Sequence, residues 1–237
     1  MPDSRSHRGA HPEDATLFGP SALQSLRSAT ADLSWLLSRD YAMDSSLSLV
    51  GNRYKLTARQ RLAVARAVAA QDKVALRTAT QVSAGHLAGE PVWIDGYNVL
   101  LTVEAALGGA VIIAAQDGTY RDMASVHGSY RKVEETVPAI ELIGRWLAGA
   151  SCEPCHWLLD SPVSNSGRLK TILYEVASVA GWNWQVELVP DPDKIQAGCE
   201  HIVATSDSQI LNQSERWLNL ARTVVSQIEG AWIVDLS

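Results

Sequence analysis

Helical spacing of apolar residues marks the first part of the chain. In residues 20–39 one apolar stripe with helical spacing predicts an amphipathic helix, and its members are Leu23, Leu26, Ala29 or Thr30, Leu33, Leu36 and Leu37. Thr57 and Gln60 form a Thr-x-x-Gln capping box, and this box predicts a second helix that continues to about Gln71. Apolar residues therefore recur with the helical period in this part of the chain, and no two-residue strand pattern occurs between them.

The segments around these helices set the limits of a first domain. Residues 40–51 are predicted to be a connection, and residues 78–89 are rich in Ala, Thr, Ser and Gly, as in a linker. The first residues, 1–15, are polar and are predicted to be a disordered tail. A small all-α domain is therefore expected over residues 16–85.

After residue 90 the pattern changes to short apolar runs separated by helical segments. The predicted strands are Val92–Asp95, Val111–Ala115, His156–Asp160, Trp184–Val189, His201–Asp207, Thr223–Val225 and Trp232–Val234. The predicted helices are Ala139–Ala150, Arg168–Ala180, Lys194–Cys199 and Gln213–Arg222. Strands that alternate with helices indicate a three-layer α/β domain with a mainly parallel sheet, here over residues 90–237.

Acidic residues follow three of these strands at the point where each strand ends. They are Asp95, Asp160 and Asp207, and Asp193 begins a helix that enters the same edge. Because right-handed crossovers place the carboxyl ends of parallel strands at one edge, we expect these four acids to lie together.

Carboxylates that crowd together repel one another unless a cation or protons compensate their charge. Mg²⁺ or Mn²⁺ prefers oxygen ligands, activates water and stabilises charge on a phosphoryl group. The chain contains neither the phosphate-binding pattern GxxxxGK[ST] nor a GxGxxG pattern after a strand, so a P-loop is excluded and a dinucleotide site is not expected. The pattern therefore predicts a metal-dependent hydrolase with Asp95, Asp160, Asp193 and Asp207 as catalytic and metal-binding residues.

The charge distribution and the number of cysteines indicate which ligands and which cellular compartment to expect. The 237 residues carry a formal net charge of −6, but seven basic residues against Asp72 give residues 51–77 a charge of +6. That basic face is interpreted first as solvated and second as a contact for phosphate. An odd number of cysteines, three, favours a reducing compartment, and no apolar run is long enough for a membrane span, so a cytoplasmic protein is expected.

The stretch Ile94–Leu100, Ile-Asp-Gly-Tyr-Asn-Val-Leu, resembles the opening signature of the NYN branch of the PIN-like nuclease superfamily. The similarity continues at Leu158–Asp160, at Asp193 and at Ala204–Ser208. In that superfamily the matching acids bind Mg²⁺ or Mn²⁺ and hydrolyse RNA phosphodiesters. The resemblance therefore implies an endoribonuclease on a PIN-like fold and assigns the four aspartates the same role.

Two departures from that superfamily are visible. Many PIN-like proteins carry a Glu on the helix after the first strand, and four residues compete for that place here: Glu104, Glu134, Glu135 and Glu141. The segment 116–131 has no counterpart in the minimal fold. The whole chain also resembles an uncharacterised prokaryotic family that joins a small helical domain to this α/β domain, which supports the domain plan alone.

Polar residues near the acids are the expected substrate contacts. Asn98 is predicted to hydrogen-bond a ligand carboxylate or the substrate. The predicted phosphate contacts are Arg121, His127, Arg131, Ser164, Asn165 and Ser166. RNA is the expected partner, and a ribosome or another protein is also possible. The alternatives are a non-catalytic RNA- or ribosome-binding module and a protein–protein scaffold in which the tryptophans fill the core.

Overall fold

A computed structural model describes residues 7–124 and 128–237. The helices are α1 (Asp14–Leu17), α2 (Pro20–Leu37), α3 (Met43–Arg53), α4 (Ala58–Ala67), α5 (Gln71–Thr80), α6 (Gly96–Leu107), α7 (Thr136–Gly149), α8 (Ser166–Ala180), α9 (Pro192–Ala197), α10 (Ser208–Leu211) and α11 (Leu220–Val225). The strands are β1 (Val92–Asp95), β2 (Ile112–Ala114), β3 (Tyr120–Asp122), β4 (Cys155–Asp160), β5 (Trp184–Val189), β6 (Ile202–Ala204), β7 (Trp217–Leu218) and β8 (Ile233–Asp235).

The strands form two sheets. Five of them pair in the order β5-β4-β1-β6-β7, and all four pairings are parallel. The second sheet has the order β3-β2-β8, in which β2 runs antiparallel to β3 and parallel to β8. A mainly parallel α/β domain that follows a helical region is therefore confirmed.

Helices cover both faces of the larger sheet. Val92 and Ile94 of β1 point into a core that they share with residues of α6, α7 and α8. Alternation along the strand sends Trp93 and Asp95 to the opposite face. There α9 contacts β1 and β4, because the β5-to-β6 connection runs back across the sheet and a right-handed crossover must then use that face.

The helical region packs on the smaller sheet. Leu26 of α2 and Val64 of α4 share a second core with Ile113 of β2 and Val234 of β8. Main-chain bonds reinforce this contact, since the Gln116 N–H donates to the Ala67 carbonyl over 2.9 Å. Within the described ranges no helix is long and apolar enough to cross a membrane.

The first part of the chain contains more order than its pattern indicated. Helix α3 occupies most of the predicted connection over residues 40–51. The predicted tail is anchored from its seventh residue onward, because Arg8 pairs with Glu104 and the fully buried Asp14 pairs with Arg59. Buried ion pairs of this kind join residues far apart in sequence, so no local pattern reveals them.

The predicted helix Gln213–Arg222 and the strand predicted at residues 223–225 are wrong. The chain instead forms the short strand β7 and then helix α11 over that stretch. Trp217 is fully buried, pairs with Val203 and donates its indole N–H to the Arg77 carbonyl over 2.7 Å. Tertiary burial of this tryptophan at the sheet edge overrides the helical pattern.

Candidate functional site

Asp95 is the most deeply buried of the predicted acids, at the end of β1 and the start of α6. Its Oδ2 accepts a hydrogen bond of 2.8 Å from the Thr205 hydroxyl, and its Oδ1 accepts one of 3.4 Å from the Asn98 N–H. Burial raises the pKa of Asp95 to about 7. The Thr205 hydrogen bond opposes that rise, whereas the charges of Asp193 and Asp207 add to it.

The loop after β6 carries Asp207 to the same edge. Its Oδ1 caps α10 by accepting from the N–H groups of Gln209 at 2.7 Å and Ile210 at 3.2 Å. The Asp207 N–H donates to the Thr205 Oγ1 over 3.0 Å. Because that same hydroxyl donates to Asp95, one threonine fixes the positions of two acids relative to each other.

Asp160 and Asp193 complete the group of acids that we call the acidic edge, with Asp95 and Asp207. Asp160 is half-buried at the end of β4, and Asp193 is exposed in the first turn of α9. Loss of solvation is the largest cause that raises the pKa of both carboxyls. The charges of Asp207, Asp160 and Asp191 raise the pKa of Asp193 further, so these acids interact.

The acidic edge has no basic partner in the described parts of the chain. No Lys or Arg side chain in residues 7–124 and 128–237 forms an ion pair with any of its four carboxylates. In the same residues no three His, Cys, Asp or Glu side chains form a group that could hold a metal ion by themselves. The four-aspartate ligand set therefore stays a prediction.

The Asn98 side chain accepts hydrogen bonds from another part of the protein. Its Oδ1 accepts hydrogen bonds of 2.8 Å from both the N–H and the hydroxyl of Ser206. This contact ties the first turn of α6 to the loop that carries Asp207. The predicted contact between Asn98 and a substrate stays a prediction, and the structure adds a positional task for the side chain.

Arg121 is misplaced for the phosphate contact predicted for it. The side chain is buried, because its guanidinium donates to the carbonyl oxygens of Ser206 at 2.8 Å and Arg66 at 2.7 Å. A third bond of 2.6 Å reaches Asp117 Oδ2. An exposed substrate phosphate cannot reach a guanidinium that is enclosed in this way, so Arg121 supports the loop from beneath.

His127 lies outside the described residues. The remaining predicted phosphate contacts are Arg131 and residues 164–166, and these two stretches of the chain lie side by side. The Ser164 N–H donates to the Gly128 carbonyl over 2.9 Å. Asn165, in the left-handed conformation at φ 69°, donates its Nδ2 to the Tyr130 carbonyl over 2.9 Å. Ser166 is buried at the start of α8.

Arg131 and Asn165 both line a cleft of about 260 Å³ between residues 130–132 and the start of α8. The cleft also contains Lys132 and Arg168, both of which are exposed. Lys132 and Arg168 form no ion pair within the described residues. We call this the basic cleft, and its cations are those that an anionic ligand would meet.

The glutamate expected on the helix after β1 has no place in the acidic edge. Glu104 lies on α6, but it is fully buried, and its Oε1 accepts hydrogen bonds of 2.6 Å from the hydroxyls of Tyr130 and Thr136. Its Oε2 accepts from Arg8. Of the other candidates, Glu141 pairs with Arg145 on its own helix. Glu134 and Glu135 both lie beside His7.

Three further residues belong to this region and were not predicted. Thr205 bridges two acids, and Asp191 caps α9 by accepting from the Lys194 N–H over 3.1 Å. Gln196 lies one turn after Asp193 and is fully buried, yet neither atom of its amide has a partner in the described structure. The sequence gives no signal of this, because the apolar Ile195 beside it is exposed, and only the coordinates show that Gln196 is buried and unpaired.

Comparison with known proteins places these features in a family. Residues 84–223 match a family model described as "Domain of unknown function (DUF5616)", and residues 25–79 match one described as "Protein of unknown function (DUF434)". The chain belongs to the DUF5616 family. Its helical region carries the second match, so the expected two-domain uncharacterised family is confirmed. Neither matching model is a PIN or NYN nuclease model.

A relative of similar length matches most of the chain. The chain is 31% identical over 187 residues to the uncharacterized protein MJ0935 of Methanocaldococcus jannaschii. The alignment covers 79% of this chain and 89% of that protein, so both domains are shared. No solved structure matches the chain.

Proposed function

We propose that this protein is a metal-dependent phosphodiesterase that hydrolyses RNA, with the acidic edge as its catalytic site. The observation that carries the proposal is the acidic edge itself, four carboxylates on four elements that lack a basic partner within the described residues. Burial raises the pKa of Asp95 to about 7, and the charges of Asp193 and Asp207 add to the rise, so an ionised Asp95 carries an electrostatic cost. A divalent cation would remove that cost.

The residues present fit a hard divalent cation such as Mg²⁺ or Mn²⁺. All of the side-chain donors are carboxylate oxygens, which these ions prefer over nitrogen or sulfur. Mg²⁺ commonly binds through only one or two carboxylates together with waters and substrate phosphates. A site with fewer than three converged ligands is compatible with that mode. Asp95, Asp193 and Asp207, whose charges interact, are the carboxylates of which one or two would hold the ion.

A cation bound there would polarise the phosphoryl oxygens and lower the pKa of an attacking water. The chain's own residues supply orientation. Thr205 and Asn98 fix Asp95 and the Asp207 loop, and Asp160, which is half-buried, can accept a proton from water at the same edge. These contacts leave Asp95 and Asp207 with little freedom to move, which favours a site that is partly organised before substrate binds.

The basic cleft supports RNA as the substrate. Arg131 and Lys132 line one side of the cleft, and Asn165 and Arg168 line the other side at the start of α8. The loop that follows Asp160 leads directly into α8. Cations of this kind contact phosphates without reading sequence. The resemblance to NYN and PIN-like ribonucleases points to the same substrate, and in this proposal the scaffold is PIN-like.

The test is cleavage of labelled single-stranded RNA in Mn²⁺, with Asp95→Asn and Asp72→Asn as a matched pair. Asp72 is exposed on α5 and takes no part in the acidic edge. We expect Asp72→Asn to cut as the wild type does, and Asp95→Asn to lose at least a hundredfold in rate. Equal cleavage by both variants, or cleavage that survives chelation of the metal, would contradict the proposal.

A second candidate function is a non-catalytic RNA-binding module on the same scaffold. The observation that favours it is the absence, within the described residues, of three converged metal-ligating side chains. In that case RNA would bind in the basic cleft without Mn²⁺-dependent cleavage. Binding and cleavage measured on the same wild-type sample separate the two functions.

A further inference from the structure

A buried ion cluster lies directly beneath the loop that carries Asp207. The Asp117 carboxylate accepts from two arginines at once, from Arg77 Nη1 at 2.5 Å and from Arg121 Nη2 at 2.6 Å. All three residues are less than 9% exposed. Two guanidinium groups share one carboxylate, so this cluster, which we call the arginine clamp, carries an excess positive charge in a buried place.

Both arginines of the clamp also bind the loop above it. Arg121 donates to the Ser206 carbonyl over 2.8 Å, and Arg77 donates to the Ser208 carbonyl over 3.2 Å. Arg77 further donates to the Asn212 Oδ1 over 2.7 Å, which holds the end of α10. Asp207 lies between the two carbonyls that are gripped in this way. Its backbone is therefore fixed from below by two guanidinium groups.

Asp207 of the acidic edge compensates part of the excess positive charge of the arginine clamp. A buried charge without compensation is strongly unfavourable, and Asp117 neutralises only one of the two guanidinium groups. Asp207 is the next carboxylate that interacts with Arg77 through its charge. Arg77 and Asp207 thus attract each other across the loop, although they form no direct ion pair.

Arg77 belongs to the helical domain, whereas the loop belongs to the α/β domain. It lies on α5, within residues 25–79, and the loop lies within residues 84–223, so the two partners match different family models. We infer that the helical domain completes the acidic site of the α/β domain, with Arg77 as the positioning residue that holds the Asp207 loop through Ser208 and Asn212. The consequence for cation binding rests on the proposed function.

A matched pair of variants separates this role from stability alone. Arg77→Met removes the grip on the loop, while Asp117 keeps Arg121 and two bonds from Thr119, so no buried carboxylate is left without a partner. Arg59→Met breaks another buried ion pair of the helical domain, between Arg59 Nη2 and Asp14 Oδ2 at 2.8 Å. It does not touch the loop.

Hydrogen exchange of the full-length protein is the first measurement. We expect both variants to melt at a lower temperature than the wild type. Under native conditions only Arg77→Met should accelerate exchange of the amides in residues 205–212, by at least tenfold. Arg77→Lys should restore part of the protection, since an ammonium can reach Asp117 but cannot span Ser208 and Asn212 together.

Mn²⁺ binding, followed by electron paramagnetic resonance, is the second measurement. We expect Arg77→Met to weaken Mn²⁺ binding about tenfold and Arg59→Met to leave it unchanged. Equal exchange at residues 205–212 in the two variants would overturn the inference. If wild-type protein neither binds Mn²⁺ nor cuts RNA, the proposed function fails, and the exchange result alone still decides whether Arg77 holds the loop.

Discussion

Asp95 is the single residue whose environment says most about the site. It is buried, receives a hydroxyl hydrogen bond from Thr205 and interacts with two other acids. Burial and like charges favour its protonated form, whereas the hydrogen bond favours the ionised one. The balance leaves the carboxyl with a pKa of about 7, so a proton or a cation at this position stabilises the folded state.

The pH dependence of stability tests this environment. The folded-state pKa of Asp95 lies above its unfolded value, so the folded protein binds the extra proton and becomes less stable as pH rises from about 4 to about 7. The full effect is of order 4 kcal/mol. We expect Asp95→Asn to remove this loss, so that without metal the variant unfolds at higher urea than the wild type at pH 8.

The comparison at pH 3 is the internal control for that prediction, since Asp95 is then largely protonated in both the folded and the unfolded state. The advantage of Asp95→Asn should then vanish. An advantage of equal size at both pH values would show that packing, and not the charge, causes the difference.

Glu104 shows how a residue that resembles a catalytic acid can be structural. Its carboxylate accepts from Tyr130, Thr136 and Arg8 in a fully buried position. We expect Glu104→Ala to lower the free energy of unfolding by about 3 kcal/mol, because it leaves buried donors without an acceptor. Urea denaturation measures this value.

Glu141→Ala is the matched control for Glu104→Ala. Glu141 also lies on a helix, but its contact with Arg145 is exposed, so we expect a change below about 0.5 kcal/mol. A small effect at Glu104 would mean that the carboxylate is not held in the buried network and could serve the acidic edge.

Among the elements, the junction of β1 and α6 leaves no room for a single added carbon atom. A Cβ on Gly96 would lie 2.7 Å from the Leu158 carbonyl oxygen and 2.5 Å from Leu159 Cδ2. The backbone oxygen cannot yield as a side chain can, so we expect Gly96→Ala to cost about 1–3 kcal/mol and to displace Asp95. Chemical denaturation gives the free-energy change.

Gly167→Ala is the matched control for Gly96→Ala. The same addition at Gly167, in α8, meets nothing within 4 Å, and Ala is favoured over Gly in a helix by about 1 kcal/mol. We expect that variant to be as stable as the wild type or more stable. Equal effects of the two substitutions would show that the start of α6 does not approach β4 closely.

Elements with a strong local pattern were predictable from the sequence. The strand that ends at Asp95 and the capping box at Thr57 and Gln60 both occur as their residues indicate, because propensity and burial agree there. Residues 213–225 were misread because Trp217 is buried through pairing with another strand. The acids of the site were visible as strand ends, but Thr205 and Gln196 owe their places to tertiary contacts.

At the scale of the whole molecule, much of the basic charge of residues 51–77 holds the protein together. Arg59 pairs with Asp14, Arg66 donates to the Ala124 carbonyl over 2.8 Å, and Arg77 belongs to the arginine clamp. These cations are therefore unsuited to RNA. The exposed cations of the basic cleft are better placed to contact phosphates.

The salt dependence of RNA binding tests this division of charge. Each phosphate contact contributes about one unit to the slope of log affinity against log salt concentration. We expect the double variant Lys132→Ala/Arg168→Ala to lower that slope by one to two units in a fluorescence anisotropy titration. Lys55→Ala, an exposed cation in the helical domain, should leave it unchanged. Equal slopes for all three proteins would exclude the basic cleft.

The central claim is that the acids of the larger sheet bind a divalent cation. The most direct measurement is a crystal structure of the protein soaked in Mn²⁺, with diffraction data collected at the manganese absorption edge. We expect an anomalous peak within about 2.0–2.6 Å of carboxylate oxygens among Asp95, Asp193 and Asp207. A map without a peak there, at a Mn²⁺ concentration that supports cleavage by metal-dependent nucleases, would contradict the account.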